Sequence, residues 1–247
     1  MSPALAQAEV GIAVKNAADV AKDSASAVLT VEGLGAIKSM IKISRTIYQR
    51  LYSWTFTMIS WKLLIMGFLV LMLFLLHSLM LSITSTIILI FLGDFVSMSI
   101  SSDNVTGSER PNTFSAHYLF RVSGTLGVLM IIESAVFTVF ALPYFGLIGN
   151  AAKIYTFGFA YLALSGVFTL MIARQRQNFW KSRPSKILAL TVLAEVLLVL
   201  VVSIFGVLEL APLGFLPLLA IITYLLVMTF LVNDHIKVYL NKKLNHS

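Results

Sequence analysis

The chain has 247 residues, of which 58% are hydrophobic and 12% charged, and its mean hydropathy is +0.91. Soluble domains are only about half apolar, so this composition excludes a water-soluble protein. The net charge of +7 does not indicate nucleic-acid binding, because the basic residues lie just outside apolar segments, where anionic headgroups are found. With no cysteine, the chain has neither disulfides nor a thiol nucleophile.

The first 33 residues differ from the rest of the chain. Residues 10–14 form a short apolar run, and residues 17–29 mix helix-forming residues with acidic and basic ones. This pattern is typical of part of a soluble α/β unit, yet the segment is too short to bury a core of its own. We therefore predict a short, partial α/β cytoplasmic segment that is the end of an incomplete domain.

A long helix is predicted next. Isoleucines recur near helical spacing at positions 37, 41, 43 and 47, and the helical pattern runs on into an apolar segment. We assign residues 34–53 to a cytoplasmic stalk helix that continues into the first membrane span. From residue 34 to residue 76 such a helix would be roughly 65 Å long, about twice the thickness of the hydrocarbon core.

Six segments have the length and apolar character of membrane spans. A transmembrane helix needs about 20 apolar residues to cross the bilayer core. The segments are residues 54–76, 80–99, 119–142, 154–173, 187–207 and 212–232. The sequence therefore predicts an all-α membrane fold, with a six-helix transmembrane domain at residues 54–233 and a cytoplasmic tail at residues 234–247.

The basic residues predict the orientation of these spans. Thirteen of them flank one face, whereas Lys153 alone lies on the other. Because cytoplasmic loops carry the excess of Lys and Arg, we expect both termini in the cytoplasm of a multi-pass cell-membrane protein. The thirteen are Lys38, Lys42, Arg45, Arg50, Arg110, Arg174, Arg176, Lys181, Arg183, Lys186, Lys237, Lys242 and Lys243.

Five stretches of the chain resemble the P-type ATPases. Residues 2–14 and 18–22 resemble the run that follows the GDGVND motif of those pumps. Residues 44–50, SRTIYQR, resemble the SRxIFQR start of the stalk in the proton-pumping plasma-membrane branch, and residues 92–105 resemble its LNDGTIMTISxDxV segment. Residues 174–184 are similar to that branch's loop before its ninth span. The resemblance implies the carboxy-terminal portion of such a pump, with the end of its phosphorylation domain at residues 1–33, followed by spans five to ten.

The same resemblance implies what the chain does not supply. The phosphate-accepting aspartate of DKTGT, the TGES loop and the nucleotide domain belong to parts of the pump that precede this region. We expect no catalytic residue, no metal site and no ATP hydrolysis by this chain alone. ATP and Mg²⁺ are expected only for the complete pump. The expected partners of this chain are the lipid bilayer and protons. A further candidate partner is a separate chain that carries the missing actuator, phosphorylation and nucleotide domains.

Asp94 is the candidate proton-binding residue. It matches the membrane carboxylate of the LNDG segment and follows an apolar run in the second span. An ionised carboxylate at that depth costs a few kcal/mol, so we expect it to face the protein interior, a partner base or a water cavity. A carboxyl that gains and loses a proton as its access changes is what proton transport requires. The alternative is a protonated packing group, or a carboxyl that reaches the cytoplasmic water.

Three other ionisable residues are candidates for supporting roles. Glu133 and Glu195 lie in the middle of the third and fifth spans, where they are a possible proton relay or, as the favoured alternative, protonated structural hydrogen-bonding groups. Lys62, in the first span, is a possible counter-charge for Asp94, or a side chain that reaches the headgroups.

The sequence leaves two functions open. One is the membrane part of a proton-transporting P-type ATPase. The other is a free-standing six-helix membrane protein that regulates a pump or acts as a passive channel. A proton leak in vesicles without nucleotide, sensitive to Asp94→Asn, would favour the second. A non-functional remnant is a third possibility.

Overall fold

The computed structural model describes residues 3–31, 35–105 and 116–244. Among these residues, six helices are long and apolar enough to cross a membrane, and the only strands form one small parallel pair. The predicted all-α, six-span membrane fold is confirmed. The boundary predicted at residues 33 and 34, the basic Arg110 and the end of the predicted tail at 245–247 lie outside the described residues.

The amino-terminal segment contains two short strands around a helix. Helix α1 (Pro3–Gln7) is followed by strand β1 (Ile12–Ala13), helix α2 (Asp19–Asp23) and strand β2 (Ala27–Val28). The strands are parallel, with Ile12 opposite Ala27 and Ala13 opposite Val28. A helix that links two parallel strands is the crossover that such a pair requires. The segment is therefore the partial α/β unit that the sequence predicts.

One helix then runs from the amino-terminal segment through the first span. Helix α3 (Gly35–Leu76) has 42 residues without interruption, which corresponds to roughly 63 Å at 1.5 Å per residue. It ends at a tight turn in which His77 has a positive φ of 48°. Helix α4 (Ile83–Ser99) starts at the N-cap residue Ser82, whose hydroxyl accepts a hydrogen bond from the backbone N–H of Ser85.

The remaining helices complete the bundle. A 3₁₀ turn (Ile100–Ser102) ends the second span, and another (Phe179–Lys181) lies between the fourth and fifth. The last span changes from α to π geometry over seven residues, Val227–Asn233, and then continues as an α-helix. The helices are α5 (Ala116–Tyr144), α6 (Ala151–Ala173), α7 (Lys186–Phe205), α8 (Phe215–Leu226) and α9 (Asp234–Leu244).

Helix α6 is the centre of the bundle. In its most apolar 18-residue stretch 94% of the residues are buried, whereas the other five spans have 28–44%. Close approach to α6 depends on its small residues. At Gly158, an added Cβ would lie 2.1 Å from the carbonyl oxygen of Met80, so the α3–α4 turn packs directly on the backbone of α6.

Residues 234–244, which the sequence assigns to a tail, form helix α9 and pack against the bundle. Asp234, Lys237 and Asn241 are buried. The amide of Asn241 donates to the carbonyl of Arg176 at 2.8 Å, and its oxygen accepts from the hydroxyl of Tyr118 at 2.6 Å. The two partners of Asn241 lie 65 and 123 residues away along the chain, so local sequence does not predict this packing.

Candidate functional site

Trp61, on α3, packs against α4 and α6 near the candidate carboxylate Asp94. Its ring is 2% exposed, and its Nε1 donates to the carbonyl of Leu162 at 2.9 Å. A Cβ added at Gly93 of α4 would lie 2.2 Å from the ring, and one added at Gly166 of α6 would lie 2.6 Å from it. The indole therefore occupies the space that side chains would fill at both glycines.

Asp94 lies on the outer face of α4. Its side chain is exposed and belongs to an apolar stripe in which Phe91, Phe95 and Met98 are 71–74% exposed. The expectation that Asp94 faces the interior of these six helices is wrong. Gly93 takes the interior position against Trp61, and the next residue of an α-helix projects about 100° away from it.

Lys62 does not pair with Asp94 in the structure. Its ammonium nitrogen lies 4.8 Å from the centroid of the Trp61 ring, in the geometry of a cation–π interaction. The ion pairs within residues 3–31, 35–105 and 116–244 do not include Lys62 or Asp94. A role of Lys62 as counter-charge would therefore act at longer range.

Glu195, on α7, lies inside the bundle and faces α4 and α6. It is 4% exposed, and its Oε2 has no hydrogen-bond partner. The side chain lines a cavity of about 10 Å³ together with Thr57, Trp61, Gly93 and Ser97. Glu195 is thus close to the inner side of the α4 turn whose outer side carries Asp94.

Glu133 has different neighbours from the other two carboxyls. Its Oε2 accepts a hydrogen bond from the amide of Asn233 at 3.0 Å, and its backbone carbonyl accepts one from the hydroxyl of Tyr224 at 2.9 Å. It therefore links α5 to α8 and to the π-helical turn. Within the described part of the chain, no three His, Asp or Glu side chains converge as metal ligands.

A buried ion pair joins three elements at the end of α4, and sequence reasoning missed its role. Asp103 and Arg174 are each 1% exposed, and Arg174 binds both carboxylate oxygens, at 2.6 and 2.8 Å. Oδ1 of Asp103 also accepts from the backbone N–H of Ser185, the N-cap of α7, at 3.2 Å. The carbonyl of Asp103 accepts two hydrogen bonds from Arg50 of α3, at 3.0 and 2.7 Å.

A second buried pair, Asp234 with Lys237, holds α9 against the end of α6. The two side chains are 0% and 1% exposed and lie 2.6 Å apart. Lys237 also donates to the carbonyls of Ile172 and Gln177, at 2.6 and 2.9 Å. A cation at the carboxyl end of a helix satisfies its free carbonyls and interacts favourably with its dipole. From the sequence, Arg174 and Lys237 count only as topology-determining charges, because Asp103 lies 71 residues from Arg174 and Asp234 falls in the segment assigned to a cytoplasmic tail.

An open groove runs between α3 and the carboxyl end of α4. It has a volume of about 450 Å³, and its lining includes Ile47, Arg50, Trp54, Met98 and Ser101. Met98 also belongs to the exposed stripe that contains Asp94. The groove and the stripe therefore form one continuous surface, which we call the α3–α4 face.

Comparison with known proteins shows that the chain is similar to part of several cation-transporting and plasma membrane ATPases. It is 31% identical over 98% of its length to a candidate cation-transporting ATPase of Methanocaldococcus jannaschii, of which it covers 30%. It is 31% identical over 83% of its length to plasma membrane ATPase 1 of Saccharomyces cerevisiae and 28% identical to that of Schizosaccharomyces pombe, and it covers 22% of each. The chain thus spans less than a third of these relatives. No protein-family model matches it.

Proposed function

The chain belongs to the P-type ATPase family, and from this premise we propose that it is the membrane-embedded, ion-conducting part of a proton-transporting pump. The observation that carries the proposal is its similarity to the plasma membrane ATPases. The match to the Saccharomyces protein covers 83% of the chain. The unmatched remainder is too short to contain α4 together with everything on one side of it, so the match includes α4. We propose Asp94 of α4 as the residue that binds the transported proton.

The exposure of Asp94 supports a location at an interface with further membrane helices. A charged side chain that faces lipid costs about 3 kcal/mol on insertion scales, and such residues normally face protein or water. The relatives are more than three times as long as the region that this chain matches. We therefore propose that a preceding part of the pump covers the α3–α4 face and encloses Asp94, whether that part lies in the same polypeptide or in a separate one.

The surroundings of Asp94 give the other candidates their roles. Lys62 has its ammonium over the Trp61 ring, whose other contacts include Gly93 beside Asp94, so we propose that it acts on Asp94 only as a distant positive charge. Glu195 lies on the inner side of that turn, and we retain it as a candidate relay residue. Glu133 bonds to the π-helical turn instead, which supports a structural role.

Among the described residues, no three His, Asp or Glu side chains converge as metal ligands. In the proposal, ATP and Mg²⁺ belong to the complete pump. In the proposed pump, α3 connects this part to the cytoplasmic domains. The hydrogen bonds from Arg50 to Asp103 would pass a displacement of the stalk to the end of α4.

A chimeric pump tests the proposal. The matched region of the Saccharomyces plasma membrane ATPase is replaced by this chain, and ATP-driven proton uptake is measured in reconstituted vesicles. We expect uptake by the chimera, its loss in Asp94→Asn and its retention in the control Glu209→Gln, an exposed carboxyl in the α7–α8 connection. Uptake that survives Asp94→Asn would refute the assignment of Asp94.

The same vesicles test the alternative of a free-standing six-helix protein that acts as a passive channel. Vesicles that contain this chain alone are given a pH gradient without nucleotide. A pump component should leave the gradient intact. Dissipation of the gradient that Asp94→Asn abolishes would instead establish a passive proton channel.

A further inference from the structure

The cavity beside Glu195 has the size of a single water molecule. Its volume of about 10 Å³ is close to the roughly 10–15 Å³ that one water requires. Residues of four helices line it, with Thr57 and Trp61 from α3, Ser97 from α4, Gly166 from α6 and Glu195 from α7. A hydrated metal ion would not fit, whereas one water would.

The polar groups that line the cavity have already used their hydrogens elsewhere. The hydroxyl of Ser97 donates to the carbonyl of Gly93 at 2.6 Å, and that of Thr57 donates to the carbonyl of Ser53 at 2.8 Å. Each hydroxyl oxygen keeps a lone pair that can accept a hydrogen bond. Glu195, whose buried Oε2 has no partner, belongs to the same lining. The two hydroxyls therefore offer acceptors to a guest in the cavity, which leaves the carboxyl of Glu195 as the group that can donate to it.

None of the described residues that line the cavity carries a positive charge that would balance an ionised Glu195. On α3, the ammonium of Lys62 lies over the Trp61 ring. On α4, Asp94 faces outward, and the α6 residues of the lining are Gly166, Val167 and Leu170. Lys186, on α7 itself, is exposed at the first turn, more than two turns from Glu195. A buried carboxylate without a partner costs several kcal/mol, so the carboxyl retains its proton.

We propose that Glu195, Ser97 and Thr57 form an internal site for one proton and one water molecule, on the opposite side of α4 from Asp94. The protonated carboxyl donates to the water, which in turn donates its two hydrogens to the hydroxyl oxygens of Ser97 and Thr57. This arrangement satisfies every group that the cavity leaves open. It needs only the six helices of this chain and holds whether or not the proposed pump function is correct.

Infrared spectroscopy of the full chain in phosphatidylcholine vesicles at neutral pH tests the proposal. The difference spectrum between the wild type and Glu195→Gln should contain the carbonyl band of a protonated carboxylic acid. The control Glu209→Gln removes an exposed carboxyl and should leave no such band in its difference spectrum. A spectrum in which Glu195→Gln removes only carboxylate bands would overturn the assignment of the proton.

A second variant tests the water without altering Glu195. Ser97→Val fills the cavity with a methyl group, which should displace the water and shift the acid band to higher frequency. Ser101→Val is its control, because Ser101 is exposed one turn further along the chain. A band that Ser97→Val leaves unchanged would overturn the assignment of a shared water. This second variant also keeps the proposal falsifiable if Glu195→Gln fails to insert.

Discussion

The ion pair between Asp103 and Arg174 allows a quantitative test of how α3, α4, α6 and α7 are held together. Both side chains are 1% exposed, and Arg174 supplies the only charge-assisted hydrogen bonds to the Asp103 carboxylate among the described residues. In Arg174→Met, that carboxylate keeps the backbone N–H of Ser185 but loses its cation. Leaving one partner of a buried pair uncompensated costs about 3–5 kcal/mol.

The free energy of unfolding is measured on the purified chain in mixed micelles titrated with dodecyl sulfate, with the fluorescence of its three tryptophans as the signal. We expect Arg174→Met to lower it by about 3–5 kcal/mol. The double variant Asp103→Leu with Arg174→Met should cost less than either single change, because it leaves no unpaired charge. The control Arg183→Met, exposed in the same loop, should stay within about 0.5 kcal/mol of the wild type.

Two results would contradict this reasoning. The first is an Arg174→Met variant as stable as the Arg183→Met control, which would mean that water reaches Asp103 and solvates it. The second is strict additivity of the Asp103 and Arg174 substitutions, which would mean that the two side chains do not interact. Added salt should have little effect on the cost, since buried pairs are screened far less than exposed ones.

Two further predictions concern packing and topology. Gly158→Ala should lower the free energy of unfolding, because its methyl group would lie 2.1 Å from the carbonyl oxygen of Met80. The control Gly124→Ala, with open space around it, should be neutral or stabilising by up to about 1 kcal/mol. Equal effects of the two variants in the same titration would disprove the close approach. With no cysteine in the natural chain, Ile148→Cys and Lys242→Cys can be labelled separately in intact cells by a maleimide that does not cross membranes. Ile148→Cys should react from outside and Lys242→Cys only after lysis, and the opposite pattern would reverse the proposed orientation.

Local composition was sufficient to predict most of the fold. Apolar length predicted the six spans, because a helix must satisfy its own backbone inside lipid and needs about 20 residues to cross it. The alternation of short apolar runs with a polar helix predicted the partial α/β segment around β1 and β2. The family resemblance at residues 44–50 and 92–105 agrees with the relatives that the comparisons identify.

The candidate site was predicted only in part. The sequence marked Asp94 and Glu195 as membrane carboxyls but not the faces of their helices. The interior face of α4 is set by the contact between Gly93 and Trp61, residues more than 30 positions apart. The pairing of Asp103 with Arg174 spans 71 positions and was missed for the same reason.

The sequence by itself determined that this protein crosses a membrane through six helices, and it marked the few ionisable residues within them. Both depend on properties that each segment has alone, namely its length, its hydropathy and its charge. Only the tertiary structure decided which carboxyl faces outward, which lines a cavity and which charges are buried as pairs. Those outcomes depend on how helices distant in the chain pack against α6, where a glycine on one helix and a tryptophan on another together fix the rotation of α4.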